Sequence, residues 1–238
     1  MDGYVDIHSH VMWGFDDGAN SLDETLEILR LARRAGFVLV AATPHIMQGV
    51  YQHERPKLEE TIREVKSQFT DDLAGLDISP GAEYYLDENF YGLLDADQIA
   101  PLGSSRHVLV ELPLLRIPPM ARDWAFRMRI KGYVPILAHP ERYADVGRKP
   151  QEAAALHEAG YLIQINLGSL IGMYGRSARK AGEWLLKQGL VDFAASDAHT
   201  PQQAAVYGEG VPALAEIVGR SELERILIEN PRQVLAGC

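Results

Sequence analysis

Asp6-Ile7-His8-Ser9-His10 sets two imidazoles one residue apart, directly after the apolar run Tyr4, Val5 and Ile7. In an extended chain, side chains two apart project to the same side, so His8 and His10 can grip one cation while Ser9 faces away. A His-x-His pair alone is a common surface feature. Weight comes from recurrence, because further apolar runs also end in His, Asp or Glu. Together these ends supply His8, His10, Asp17, His45, Glu83, Glu111, His139, Asp197 and His199 as candidate metal ligands. Mixed imidazole and carboxylate without thiolate suits manganese, iron or zinc better than calcium or magnesium. Nine ligands exceed one ion's needs and suit two or three divalent ions, with Glu83 as a bridge. Adjacent divalent ions acidify a shared water and clamp the attacking and leaving oxygens of a phosphoryl displacement, so phosphate-ester hydrolysis is the reaction class expected.

Such scattered residues need elements that bring them together. Strand-like runs are read at Tyr4–Ile7, Val38–Ala42, Ile78–Ala82, Val108–Val110, Val134–Ala138, Tyr161–Ile165 and Phe193–Ala195. Helical patterns separate them. Ser21-Leu22-Asp23-Glu24 reads as a capping box opening a helix that ends at Gly36. Further helices are expected at Pro56–Phe69, Asn89–Leu94, Met120–Ile130, Gln151–Ala159, Arg176–Gln188, Gln202–Val218 with an interruption around Gly208–Gly210, and Ser221–Leu235. Seven alternations of this kind predict parallel βα units. A closed or nearly closed barrel follows from the ligands, since the carboxyl ends of barrel strands share one mouth, whereas an open sheet would spread them along an edge.

The 238 residues, 47% hydrophobic and 24% charged, describe one globular domain spanning 1–238. No apolar run approaches the ~20 residues needed to cross a bilayer, and Asp2 interrupts any basic-then-apolar leader, so a cytoplasmic location without membrane insertion is expected. A single cysteine, Cys238, excludes a disulfide framework and a thiolate cluster. The net charge of −10 argues against a nucleic-acid partner. Bound cations would reverse the local sign, leaving the mouth able to attract anions.

The motifs Asp6-Ile7-His8-Ser9-His10, Asp16-Asp17-Gly18-Ala19, Thr43-Pro44-His45, Gly49-Val50-Tyr51, Gly81-Ala82-Glu83, His139-Pro140-Glu141-Arg142 and Ala195-Ser196-Asp197-Ala198-His199 resemble the polymerase-and-histidinol-phosphatase (PHP) superfamily. Within it the chain is most similar to the bacterial metal-dependent protein-tyrosine phosphatases of capsular and exopolysaccharide operons. The resemblance runs from the first strand to the last helix. It implies a distorted (β/α)7 barrel, a trinuclear manganese-type site on the nine ligands named, and as partner the phosphorylated tail of a bacterial tyrosine kinase. It also implies that Arg142 holds the phosphate; metal-activated hydroxide attack is the mechanism expected of such a site, with His199 or His45 as general acid where that imidazole is not fully committed to metal. Thr200–Gly208 lacks the further arginine that family members place there, and Arg176 or Arg179 is its expected substitute. Small-molecule phosphomonoester hydrolysis, such as that of histidinol phosphate, is the alternative on the same site. Asn166 is read as a substrate contact or a backbone partner, Asp16 as the residue that orients its loop, and Glu141 as a partner for Arg142. Trp13, Phe15 and Tyr51 are candidates for a cleft around an aromatic leaving group.

Overall fold

The structure is a computed structural model and describes residues 3–235; Asp2 and Cys238 lie outside them. Nine strands follow in chain order: β1 (Tyr4–Ser9), β2 (Phe37–Ala42), β3 (His45–Ile46), β4 (Asp77–Pro80), β5 (Glu83–Tyr85), β6 (His107–Glu111), β7 (Val134–Ala138), β8 (Leu162–Asn166) and β9 (Phe193–Ala195). All pair in parallel, in one sheet ordered β1-β2-β4 and another ordered β3-β5-β6-β7-β8-β9.

β2 and β3 are one run broken at Thr43-Pro44, where proline offers no N–H to a ladder. β4 and β5 are likewise one run broken at Gly81-Ala82. Bonds from Gly81 N–H to Ala42 O (2.9 Å) and Glu83 N–H to Pro44 O (3.2 Å) carry the pairing across both breaks. Counted this way, seven runs alternate with helices as expected. No ladder joins β1 to β9 among the described residues. Instead His10 N–H donates to Ala198 O (3.0 Å) and Asp197 N–H to His8 O (2.9 Å). The architecture is the distorted (β/α)7 barrel, with its first and last strands tied by those two bonds. Ile7, Ala41, Leu109, Ile136, Ala138 and Phe193 pack together in one buried cluster, and a larger one includes the inward faces of the helices.

The helices are α1 (Leu22–Arg34), α2 (Arg55–Ser67), α3 (Glu88–Asp95), α4 (Ala121–Ile130), α5 (Ala144–Arg148), α6 (Gln151–Glu158), α7 (Leu167–Leu170), α8 (Gly175–Lys187), α9 (Val206–Glu224) and α10 (Asn230–Leu235). Ser21 caps α1 by accepting from Glu24 N–H (3.2 Å), while the Glu24 carboxylate accepts from Asn20 N–H (2.9 Å) instead of closing back on Ser21. The interruption expected at Gly208–Gly210 is absent. α9 runs through it, because Gly210 is required for packing: a Cβ there would stand 2.7 Å from Leu167 Cβ. The kink falls at Gly219, whose φ of 76° suits glycine alone. Three strand boundaries also differ from expectation. Glu111 and Asn166 are the last residues of β6 and β8 instead of following them, and Glu83 opens β5.

No helix among the described residues is long and apolar enough to cross a membrane. Leu109 is fully buried, so Leu109→Ala is expected to lower the unfolding free energy by ~2–5 kcal/mol, read from the urea midpoint of the metal-free protein.

Candidate metal centre

Parallel strands deliver the polar residues to one end of the barrel. β1 brings His8 and His10, with Asp16 and Asp17 in the following loop; β3 and β5 begin with His45 and Glu83. β6 ends in Glu111, His139 follows β7, and Asp197 and His199 follow β9. All nine candidate ligands converge. They form four overlapping groups whose ligand atoms lie within 4.8 Å of one another: His10, Asp17, His45 and His199; His8, His10 and Asp197; His8, Glu83 and His139; His45, Glu83 and Glu111. Glu83 Oε2 lies 3.0 Å from His45 Nδ1, 3.3 Å from His8 Nε2 and 3.4 Å from His10 Nε2, and Glu83 Oε1 lies 3.2 Å from His139 Nε2. That placement suits the bridging carboxylate expected.

The donor set fits divalent metal on three counts. His8 Nδ1–H donates to Gln164 Oε1 (2.8 Å), His10 Nδ1–H to Asp16 Oδ2 (2.6 Å) and His199 Nδ1–H to the Asp197 carbonyl (2.9 Å). These outward bonds fix the tautomers and turn the Nε2 lone pairs inward, as metal-bound histidines require. His8 Nε2 and His10 Nε2 then face each other at 3.1 Å, an approach that needs a shared proton or cation. Finally, His45 Nδ1 and Glu83 Oε2 lie 3.0 Å apart without forming a well-directed hydrogen bond, and His139 Nδ1 is buried without a hydrogen-bond partner, a costly arrangement in the absence of something to bind.

The electrostatics follow from burial against pairing. Burial opposes charge on His8, but the Glu83 and Asp197 carboxylates outweigh it and raise its pKa to about 9. His10 is lifted well above the ordinary imidazole value against burial, chiefly by Asp16 and Asp197. The same imidazoles hold Glu83 and Asp197 well below the usual carboxylate range despite burial. Glu111 goes the other way, to about 8, through burial and the neighbouring Glu83. His139 and Asp197 adopt left-handed backbone, φ 35° and 53°, a conformation that non-glycine residues hold where the surroundings impose it.

Supporting contacts are as specific as the ligands. Asp6, fully buried, accepts from Ser196 Oγ and Tyr207 OH (both 2.6 Å) and from the N–H groups of His8 (3.1 Å) and Ser196 (3.2 Å). Asp16 orients its loop as expected, also accepting from His45 N–H (2.8 Å) and Gly18 N–H (2.9 Å). Sequence reading missed the roles of Gln164, Tyr207 and Tyr174. Gln164 carried a signal: it shares with Asn166 the inward side of an otherwise apolar strand.

Around the cluster, Arg142 donates to Asp197 Oδ2 (2.5 Å) and lies 4.3 Å over the Tyr174 ring. Asn166 is placed to steady Asp197. It is fully buried, donating to Asp197 Oδ2 (2.6 Å) and accepting from Gln164 Nε2 (2.9 Å). Glu141 does not hydrogen-bond Arg142; its Oε1 accepts from Asn166 N–H (2.9 Å) and Ser169 Oγ (2.6 Å). Arg176 is exposed in the first turn of α8, and Arg179 is paired with Glu183 (2.9 Å). Trp13 and Phe15 line a groove of about 580 Å³ with His53 and Lys57, whereas Tyr51 stacks on His45 at 5.8 Å.

The family model for capsular polysaccharide synthesis, CpsB/CapC, matches residues 4–236. The chain belongs to that family. The PHP-type resemblance drawn from the motifs therefore stands. Tyrosine-protein phosphatase YwqE of Bacillus subtilis is 31% identical over 235 residues, covering 97% of this chain and 91% of the relative. Tyrosine-protein phosphatase CpsB of Streptococcus pneumoniae is 26% identical, covering 97% and 98%. A solved structure from work on YwqE and CpsB, described there as unique metal-dependent tyrosine phosphatases, superimposes with a TM-score of 0.89 at 30% identity, covering 98% of this chain and 94% of that one.

Two outcomes are expected of a CpsB/CapC protein built this way. With the folded pKa values of His8 and His10 raised, the metal-free cluster holds protons at neutral pH that a divalent ion must displace. Affinity should then rise with pH between about 6 and 9, with net proton release at pH 7, seen by titration calorimetry in buffers of different ionisation enthalpy. In Gly18→Ala the new Cβ would fall 2.1 Å from His10 O, displacing the Asp16-Asp17 loop. Metal affinity should drop ~10–100-fold, measured by competition with a chelator.

Proposed function

We propose that the chain is a metal-dependent protein-tyrosine phosphatase, a single cytoplasmic domain acting on the phosphotyrosine tail of a bacterial tyrosine kinase that controls capsular or exopolysaccharide synthesis. The observation that carries this reading is the convergence of nine His, Asp and Glu side chains beside Arg142, on a chain 31% identical to a named tyrosine-protein phosphatase. The capsular role rests on the family's description.

In this reading His8, His10, Asp17, His45, Glu83, Glu111, His139, Asp197 and His199 hold two or three ions, manganese first, with iron or zinc as alternatives. Such ions supply an acidified water and neutralise charge gathering on a transferring phosphoryl group. Arg142 binds the phosphoryl oxygens. One of its donors is held by Asp197, and stacking on Tyr174 sets the guanidinium plane, leaving its other N–H groups for substrate. Arg176, on the segment after β8, supplies the second cationic contact in place of the arginine missing from Thr200–Gly208. His45 and His199 are the imidazoles at the cluster's outer edge, their side chains 13% and 18% exposed against 2% or less for the other three. Whichever of the two is not committed to metal would serve as the acid for the leaving oxygen. Phenolate, with a pKa of ~10, needs less help from such an acid than an alkoxide would.

Metal-stripped protein reloaded in turn with manganese, iron, zinc and magnesium is expected to hydrolyse a phosphotyrosine peptide in preference to a phosphoserine peptide or histidinol phosphate. Metal-dependent turnover of histidinol phosphate alone would keep the site and replace the substrate. Arg142→Ala, shown folded by circular dichroism and metal-loaded by elemental analysis, should lose ~10²–10³-fold in kcat/KM; full activity would remove the phosphate-binding role.

A further inference from the structure

Large apolar side chains left in water are informative when they gather. Leu114, Leu115 and Met120 are 38%, 82% and 51% exposed in the loop between β6 and α4, and Met173 is 40% exposed between α7 and α8. Both loops follow the carboxyl ends of strands, so they stand on the same end of the barrel as the cluster. Hydrogen bonds make them one surface. Ala144 N–H donates to Leu114 O (2.7 Å) and Ile117 N–H to Asp145 (2.8 Å), tying the first loop to α5. Ser177 Oγ donates to Gly147 O (3.2 Å), tying α5 to α8, and Tyr174, next to Met173, stacks against Arg142.

The charge of this ledge opposes that of the whole chain. Leu112–Arg122 carries Arg116 and Arg122 and no acid, and Ile171–Lys180 carries Arg176, Lys180 and Arg179, the last paired with Glu183, and no acid, in a protein of net charge −10. The neighbouring Asp145 is already engaged by Ile117 N–H and Arg148.

Resting on the phosphatase reading, we propose that Leu114, Leu115, Arg116, Met120 and Met173 form a docking ledge for the polypeptide flanking the phosphotyrosine, selecting segments rich in apolar and acidic residues. The occupant is a substrate chain because Tyr174, beside Met173, stacks on Arg142, so the polypeptide around a phosphotyrosine held by Arg142 lies next to the ledge. Apolar contacts supply affinity, and the basic side chains set the preference for acidic flanks.

The test compares wild type with Leu115→Ser/Arg116→Glu and Met173→Ser, manganese-loaded, on free phosphotyrosine, on a phosphotyrosine peptide flanked by Leu, Asp and Glu, and on one flanked by Ser and Lys. Wild type should prefer the acidic-apolar peptide. The variants should lose about tenfold in kcat/KM on it, through KM, with turnover of free phosphotyrosine unchanged. Equal losses on all three substrates, no loss on any, or no flank preference in wild type would overturn the ledge. Should the variants instead abolish self-association in sedimentation velocity or binding to phosphatidylglycerol vesicles, with peptide kinetics unchanged, the ledge belongs to a second copy or a lipid surface and the proposal fails. Absence of wild-type turnover on every phosphotyrosine substrate would overturn the phosphatase reading and the ledge with it.

Discussion

Glu83 and Asp197 place two carboxylates inside the barrel mouth where water does not reach them, and most of the local architecture answers to that constraint. Removing such an ion from water costs several kcal/mol unless close opposite charge and hydrogen bonds compensate. His8, His10, His45, His139 and His199 supply the compensation, each within 4 Å of one or both carboxylates. The histidines depend in turn on outward bonds to Gln164, Asp16 and the Asp197 carbonyl. A cluster this charged is poised for divalent ions, which satisfy the carboxylates and the inward imidazole nitrogens together.

The same residues hold the barrel's seam. The two backbone bonds tying the first strand to the last involve His8, His10, Asp197 and Ala198, so the junction of the chain's two ends lies within the metal centre. Asp6 reinforces it from below by gathering Ser196, Tyr207 and two backbone N–H groups from β1, the turn after β9, and α9. Fold closure and ligand placement thus share hydrogen bonds, which gives the left-handed backbone of Asp197 its physical support: its N–H is held by His8 O, and its carboxylate by Asn166 and Arg142.

Net charge says little about the mouth. Several acids are part of the buried cluster itself, and others form helix-surface pairs such as Lys57 with Glu60 and Arg220 with Glu224, which contribute little to stability. Arg142 and Arg176 share the mouth end of the barrel with the metal ligands. An anionic substrate therefore meets cationic side chains there despite the negative charge of the whole chain.

Much of this was legible in the order of residues. Period and punctuation located seven strand runs, and polar residues at the ends of apolar runs gave the nine ligand candidates, because parallel βα units bring strand ends to one mouth wherever they fall in sequence. The barrel breaks at Thr43-Pro44 and Gly81-Ala82, the kink at Gly219 instead of Gly208–Gly210, and the burial of Asn166 and Glu141 were decided by packing between distant segments. So were the partners of the ligands. That His8 is oriented by Gln164, 156 positions away, and Asp6 satisfied by Tyr207, 201 positions away, depends on which strands and helices become neighbours. A one-dimensional pattern fixes which face a side chain takes; only the folded chain fixes what it meets there.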